Sequence, residues 1–116
     1  MAKHTQLRVW QRARDLMRMV SAVAAEMRSE GDLKSQLRRA AISVASNIAE
    51  GAERSDRDFC RFLTIALGSN AEVTAQVTIA GDMGLISESK AKELINITNH
   101  IGAMIRKLVQ SRQATG

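Results

Sequence analysis

The acidic residues Glu50, Glu53, Asp56 and Asp58 crowd the stretch EGAERSDRD. Paired carboxylates can act as general acid and base, or hold a metal ion. The same stretch has a second reading. Ser55 opens S-D-R-D, a capping-box variant with Asp58 at the third helical position. Asp56 and Asp58 also suit the positive end of a helix dipole. On that reading the carboxylates cap a corner and carry solvated charge.

Other reactive side chains form no constellation. His4, His100 and Cys60 complete no H-x-x-x-H or C-x-x-C pair, so no metal site is expected. A di-iron bundle needs E-x-x-H on its helices, and the sequence has none. Gly68-Ser69 lacks the surrounding G-x-x-x-x-G-K-[ST] of a phosphate loop, and the mid-helix Gly68 reads as a place of close contact with a neighbouring helix. Cys60 has no activating histidine beside it and reads as a small apolar filler. With no nucleophile–base pair, the expectation is a protein without catalytic residues, metal or cofactor. Asn47 and Asn70 are different. Asn70 falls in an apolar stripe and Asn47 at the edge of one, beside Ser43 and Glu50. Buried amides need partners, so both are expected in a polar network that fixes helix register, with a ligand site as the alternative.

The elements that must position these residues are helices. Val9, Ala13, Met17, Val20, Ala24 and Met27 recur at helical spacing and predict a helix from about Thr5 to Arg28. SEGD at 29–32 interrupts the pattern, with Gly31 read as a C-cap and Asp32 as the next N-cap. Leu33, Leu37, Ala41, Val44, Ile48 and Ala52 predict a second helix, whose small residues allow close approach. A third is predicted over Asp56 to Met83, on Phe59, Leu63, Ala66, Asn70, Val73, Val77 and Ala80. Gly84 ends it, and Ser87 caps a fourth helix carrying Leu94, Thr98, Ile101, Ile105 and Leu108, fraying near Arg112. Long helices joined by short loops imply an all-α, antiparallel up-down-up-down four-helix bundle.

Composition agrees. The 116 residues suit one domain over 1–116, and the 45% hydrophobic content with no proline argues against a linker or disordered tail. The only aromatic residues are Trp10, Phe59 and Phe62, which suits a helical core. A single cysteine excludes an intrachain disulfide and suits a reducing, cytoplasmic compartment. No run of apolar residues is long enough to span a membrane, and MAKHTQLRVWQRARDL has no apolar signal region, so no membrane partner is expected.

Two surfaces point to partners. Ile65 and Ile79 lie about 110° to 150° away from the core stripe of the third helix, at about 100° per residue. Ile42, Ile97 and Met104 likewise widen the apolar arcs of the second and fourth helices. Wide arcs on several helices are expected to form an oligomer interface. The net charge is +5 with a pI near 10.1, which favours an anionic partner. Antiparallel topology brings Lys3, Arg8, Arg12, Arg54, Arg57, Arg106, Lys107 and Arg112 to one pole. The other pole holds Arg28, Glu30, Asp32, Asp82, Glu88 and Lys90. An arginine-rich pole suits phosphate contacts to RNA or DNA with little sequence preference. A solubilising basic surface is the plainer alternative.

Several motifs make a resemblance. They are L-x-V-W-Q at 7–11, QLRRAAISVASNIAEG at 36–51, S-D-R-D-F-x-R-F-L-x-I-A-L-G-S-x-A-E at 55–72 and GLIS at 84–87. The chain resembles, over about residues 7 to 110, the four-helix-bundle proteins encoded in intervening sequences of bacterial large-subunit ribosomal RNA genes. That family includes accessory variability proteins of diversity-generating retroelements. The resemblance implies a ring-like homopentamer, nucleic-acid binding and, for the accessory branch, a reverse transcriptase as partner. The matching residues Arg38, Arg39, Ser46, Asn47, Glu50, Gly51, Gly68, Ser69, Asn70 and Glu72 read as packing and assembly determinants. Ala45 and SEGD replace prolines that relatives carry, which alters the second helix and its entry but not the bundle. The expected function is therefore a non-enzymatic, homo-oligomeric, nucleic-acid-binding protein; the alternative is a protein–protein assembly or scaffold module.

Overall fold

A computed structural model describes residues 3–28 and 31–115, apart from the side chains at positions 3, 5, 114 and 115. A short 3-10 helix, Lys3–Gln6, leads into four α-helices: α1 (Arg8–Glu26), α2 (Gly31–Ala52), α3 (Asp56–Asp82) and α4 (Glu88–Thr115). No strand occurs among the described residues. Helices adjacent in the chain pack against each other, and α1 against α4 closes the square. The diagonal pairs do not approach, so the fold is an antiparallel up-down-up-down four-helix bundle measuring 46 × 23 × 20 Å.

Local chemistry sets the corners. The Ser55 side chain accepts a hydrogen bond from the Asp58 backbone N–H at 3.3 Å, and the Ser87 hydroxyl accepts from Lys90 N–H at 3.1 Å. Gly84, at φ 73°, closes α3. Leu85 N–H reaches Ala80 O at 2.9 Å and Gly84 N–H reaches Gly81 O at 3.0 Å, a Schellman pair that a residue with a Cβ would strain.

The first corner differs from the sequence expectation. α1 stops at Glu26, where Met27 turns extended and buries its side chain. Gly31 does not cap α1; it is the first residue of α2, which puts Asp32 inside the first turn rather than at the N-cap. The carboxylate still faces the positive end of the helix dipole. Ser29 and Glu30 lie outside the described residues. At the other end α4 runs on to Thr115 rather than fraying near Arg112.

The core holds one large apolar residue per helical turn. Leu16, Val20, Leu37, Val44, Ile48, Leu63, Val73, Val77, Leu94, Ile101 and Ile105 are fully buried, each worth roughly 1.5–3 kcal/mol of transfer free energy. Small residues let α2 and α3 lie close: Ala40, Ala41, Ala45, Gly51 and Ala52 are all buried. Gly51 is the tightest of them. A Cβ built there would stand 2.6 Å from Phe62 Cβ and 2.9 Å from Phe59 Cδ1. The expected close approach at Gly68 is absent, because a Cβ at that exposed position would meet nothing within 4 Å.

Candidate nucleic-acid interface and assembly face

The start of α1, the α2–α3 corner and the end of α4 share one end of the bundle, and the expected arginines gather there in two groups. One group is neutralised within the chain. Arg12 pairs with Asp15 at 3.1 Å, Arg54 with Glu50 at 3.2 Å and Arg112 with Asp56 at 3.1 Å. Arg61, one turn into α3, sits 3.7 Å from Asp58. Phe59 and Phe62 also hold guanidinium groups: Arg112 lies 5.4 Å from the Phe59 ring centre, and Arg54 and Arg61 lie 5.1 and 5.7 Å from Phe62. Three of the four carboxylates in EGAERSDRD, Glu50, Asp56 and Asp58, are thus paired with arginines. Among the described residues, no group of His, Cys, Asp and Glu side chains could hold a metal ion.

The second group is Arg8, Arg57 and Lys107, with Arg106, whose head turns back to Gly102 in the middle of α4, beside it. All four are exposed, and none joins an ion pair among the described residues. Arg8 and Lys107 border one groove, between α1 and α4, together with His100 and Met104. Arg57 and Arg106 border the seam between α3 and α4. The Lys3 side chain lies outside the described residues.

The motif residues build two polar links between helices. In the first, Asn47 Nδ2 donates to Ser43 O at 2.8 Å and Ser43 Oγ at 3.0 Å, and the Ser43 hydroxyl meets Ser69 Oγ at 2.8 Å across the α2–α3 contact. Asn47 is only half-buried and its own bonds stay within α2, so the serine pair makes the bridge. In the second, Asn70 is 5% exposed and its Nδ2 donates to the Thr98 carbonyl of α4 at 2.8 Å. Thr98 also donates its hydroxyl to Ile95 O at 2.9 Å and meets Thr74 Oγ1 at 2.7 Å. Sequence reasoning misses Ser43 and Thr98 as the partners. Their periodic positions are visible in the sequence, but which helix each faces is not.

The remaining motif residues are local or outward. Arg39 Nη2 bonds Ser35 Oγ at 3.0 Å and Ser46 Oγ donates to Ile42 O at 2.9 Å, each within α2. Arg38 and Glu72 are exposed. Arg38 borders an apolar groove of about 630 Å³ between α1 and α2, lined by Met17, Ala22, Ala25 and Ile42.

The free apolar surface lies on α2, where Ile42 lines the α1–α2 groove, and on the outward side of α3. Ile42 and Ile65 are each 49% exposed, Ile79 is 48% and Met83 is 54%. Gly68 lies one turn from Ile65 on α3. The two α4 residues expected on this surface are placed otherwise. Ile97 is 9% exposed and belongs to the bundle's own core, because α4 turns that edge toward its neighbours. Met104 is half-buried against the core, at the α1–α4 groove.

Residues 5–107 match the family described as 23S rRNA-intervening sequence protein. A crystal structure of a protein of unknown function from the S23 ribosomal protein family of Bacteroides thetaiotaomicron is similar at a TM-score of 0.81. It is 18% identical, and the match covers 87% of this chain and 97% of that one, which supports the fold. None of the curated proteins matches.

Proposed function

The chain belongs to the 23S rRNA-intervening sequence protein family, and from that premise we propose that it is a non-enzymatic, homo-oligomeric protein that binds nucleic acid through its basic end. The observation that carries this reading is the set Arg8, Arg57 and Lys107, exposed and without carboxylate partners at one end, with Arg106 farther along the α3–α4 seam. The charges of their neighbours Arg12, Arg54 and Arg112 are already matched inside the chain. Unpaired guanidinium and ammonium groups bind phosphate oxygens by charge-assisted hydrogen bonds and release counterions. Contacts of this kind follow the backbone and read little sequence.

Self-association is supported by the free apolar surface of α2 and α3. Ile42, Ile65, Ile79 and Met83 leave more large apolar surface open than a lone bundle needs. Gly68 adds to the argument. A mid-helix glycine costs about 1 kcal/mol, and no described residue of its own chain uses the space it leaves. A second copy packed against α3 would use it. A closed ring, five copies as the family resemblance implies, would repeat the basic end around one axis. The same surface favours the second reading, a scaffold module whose partner is another protein.

Titration of labelled single-stranded RNA and DNA over a salt series separates the two. The proposal expects binding at low salt that falls with a log–log slope of about −0.7 for each phosphate neutralised. No binding to either strand at low salt would leave the scaffold reading.

A further inference from the structure

Asn70 occupies a place in α3 where an apolar residue would complete the core stripe, and only half of its amide is satisfied. Nδ2 donates to Thr98 O at 2.8 Å, whereas the buried Oδ1 has no partner among the described residues. Buried acceptors without donors are uncommon, so this one calls for a reason. The amide cannot simply be reversed, because Oδ1 would then face the Thr98 carbonyl, two acceptors with no hydrogen between them.

Asn70 borders a groove of about 470 Å³ between α3 and α4, in the size range of small-ligand sites. Leu67 and Ala71 give the groove an apolar wall, and Thr98, Asn99 and Arg106 give it polar edges. Gly102 leaves its floor open. A Cβ there would stand 3.5 Å from both Asn70 Nδ2 and the terminal nitrogens of Arg106, so the amide and the guanidinium flank this glycine. Arg106 is exposed and has no ion pair, so its head is free to swing aside on the nanosecond scale. Farther along the same seam, Cys60 and Arg57 border the next hollow toward the basic end.

We infer that the Asn70–Arg106 groove receives one unstacked nucleobase of a bound single strand. The inference rests on the nucleic-acid reading above. A base fits the groove's chemistry in three ways. Its flat apolar faces match the Leu67–Ala71 wall. Asn70 Oδ1 has no open surface in the structure as it stands, so the groove must first open by the Arg106 swing. An edge N–H then supplies the hydrogen that Oδ1 lacks, and an adjacent ring nitrogen or carbonyl accepts from Arg106. A backbone phosphodiester is disfavoured as the occupant, because it is ionised and has no hydrogen to give Oδ1. The phosphates of the strand would instead run toward Arg57. Duplex nucleic acid keeps its base edges paired and cannot fill the groove.

The test compares a short mixed-sequence single-stranded RNA with an abasic strand of equal length and charge, by fluorescence anisotropy at low salt. The parent protein should bind the base-bearing strand about tenfold more tightly, the effect of one base stacked and paired. Gly102→Ala puts a methyl group on the groove floor at ordinary contact distance and favours the helix, so the fold should persist. That variant and Asn70→Leu should lose the preference while keeping the parent's affinity for the abasic strand and its salt dependence. If Asn70→Leu does not fold, Gly102→Ala decides alone. Equal binding of both strands by the parent would overturn the base site and leave the phosphate reading standing. A base preference that survives Gly102→Ala would also overturn it, by placing the base elsewhere. Binding to neither strand would remove the nucleic-acid reading and this inference with it.

Discussion

Gly51 has no room for a side chain, and this makes it the most sensitive glycine on the α2–α3 contact. The nearest atom to a new Cβ is Phe62 Cβ at 2.6 Å, which is fixed to the α3 backbone and cannot rotate away. Gly51→Ala must therefore push α2 and α3 apart, at a cost of about 1–3 kcal/mol in urea denaturation. Gly68→Ala is the control. With nothing within 4 Å, it should gain up to about 1 kcal/mol in helix propensity when measured on the isolated subunit. Sequence reasoning reads Gly51 correctly, as part of the close-packed end of the second helix, but places a close contact within the chain at Gly68 where there is none. A glycine's reason lies on the neighbouring helix, and the neighbour's rotation is not visible in one helix's periodicity. The Asp56–Arg112 pair is illegible for the same reason, since 56 residues separate its members. Both side chains are about two-fifths exposed, so Arg112→Ala should change stability by less than about 1 kcal/mol.

At the scale of elements, the helices are legible where the signal is local. Ser55 and Ser87 cap their helices through hydrogen bonds to backbone three residues away, and Gly84 closes α3 within its own turn. Helical periodicity then fixes the core stripes. The α1–α2 corner is less legible, because Gly31 can either close one helix or open the next, and only the packing decides. One edge of α4 is also ambiguous in the sequence: Ile97 is core, although with Met104 it extends one edge of the apolar arc and so reads as free surface. The outward face of α3 gives an element-scale prediction. Ile65→Asp together with Ile79→Asp removes apolar surface that its own chain leaves about half exposed. Helical circular dichroism should be unchanged, while sedimentation equilibrium should move from an oligomer to a monomer. A parent protein that already sediments as a monomer at micromolar concentration would end the assembly part of the account.

On the scale of the whole molecule, antiparallel topology turns scattered sequence positions into one charged end. The gathering of arginines can be read from helix order alone, but their neutralisation cannot. Glu50, Asp56 and Asp15 take up Arg54, Arg112 and Arg12, so the number of cations left for a ligand is smaller than the sequence count. Among the described side chains, the cations that remain are Arg8 and Lys107 at the α1–α4 groove and Arg57 and Arg106 along the α3–α4 seam. No described helix is long and apolar enough to cross a membrane.

The most direct measurement is the salt dependence of RNA binding by the triple variant Arg8→Glu, Arg57→Glu and Lys107→Glu, beside the parent. These side chains hold no ion pair among the described residues, so reversing them should leave helicity and sedimentation unchanged. The account predicts that affinity for all strands falls together and that the log–log salt slope shrinks by about 0.7 for each phosphate no longer neutralised. A triple variant that binds RNA and DNA as tightly as the parent, with the same slope, would contradict it.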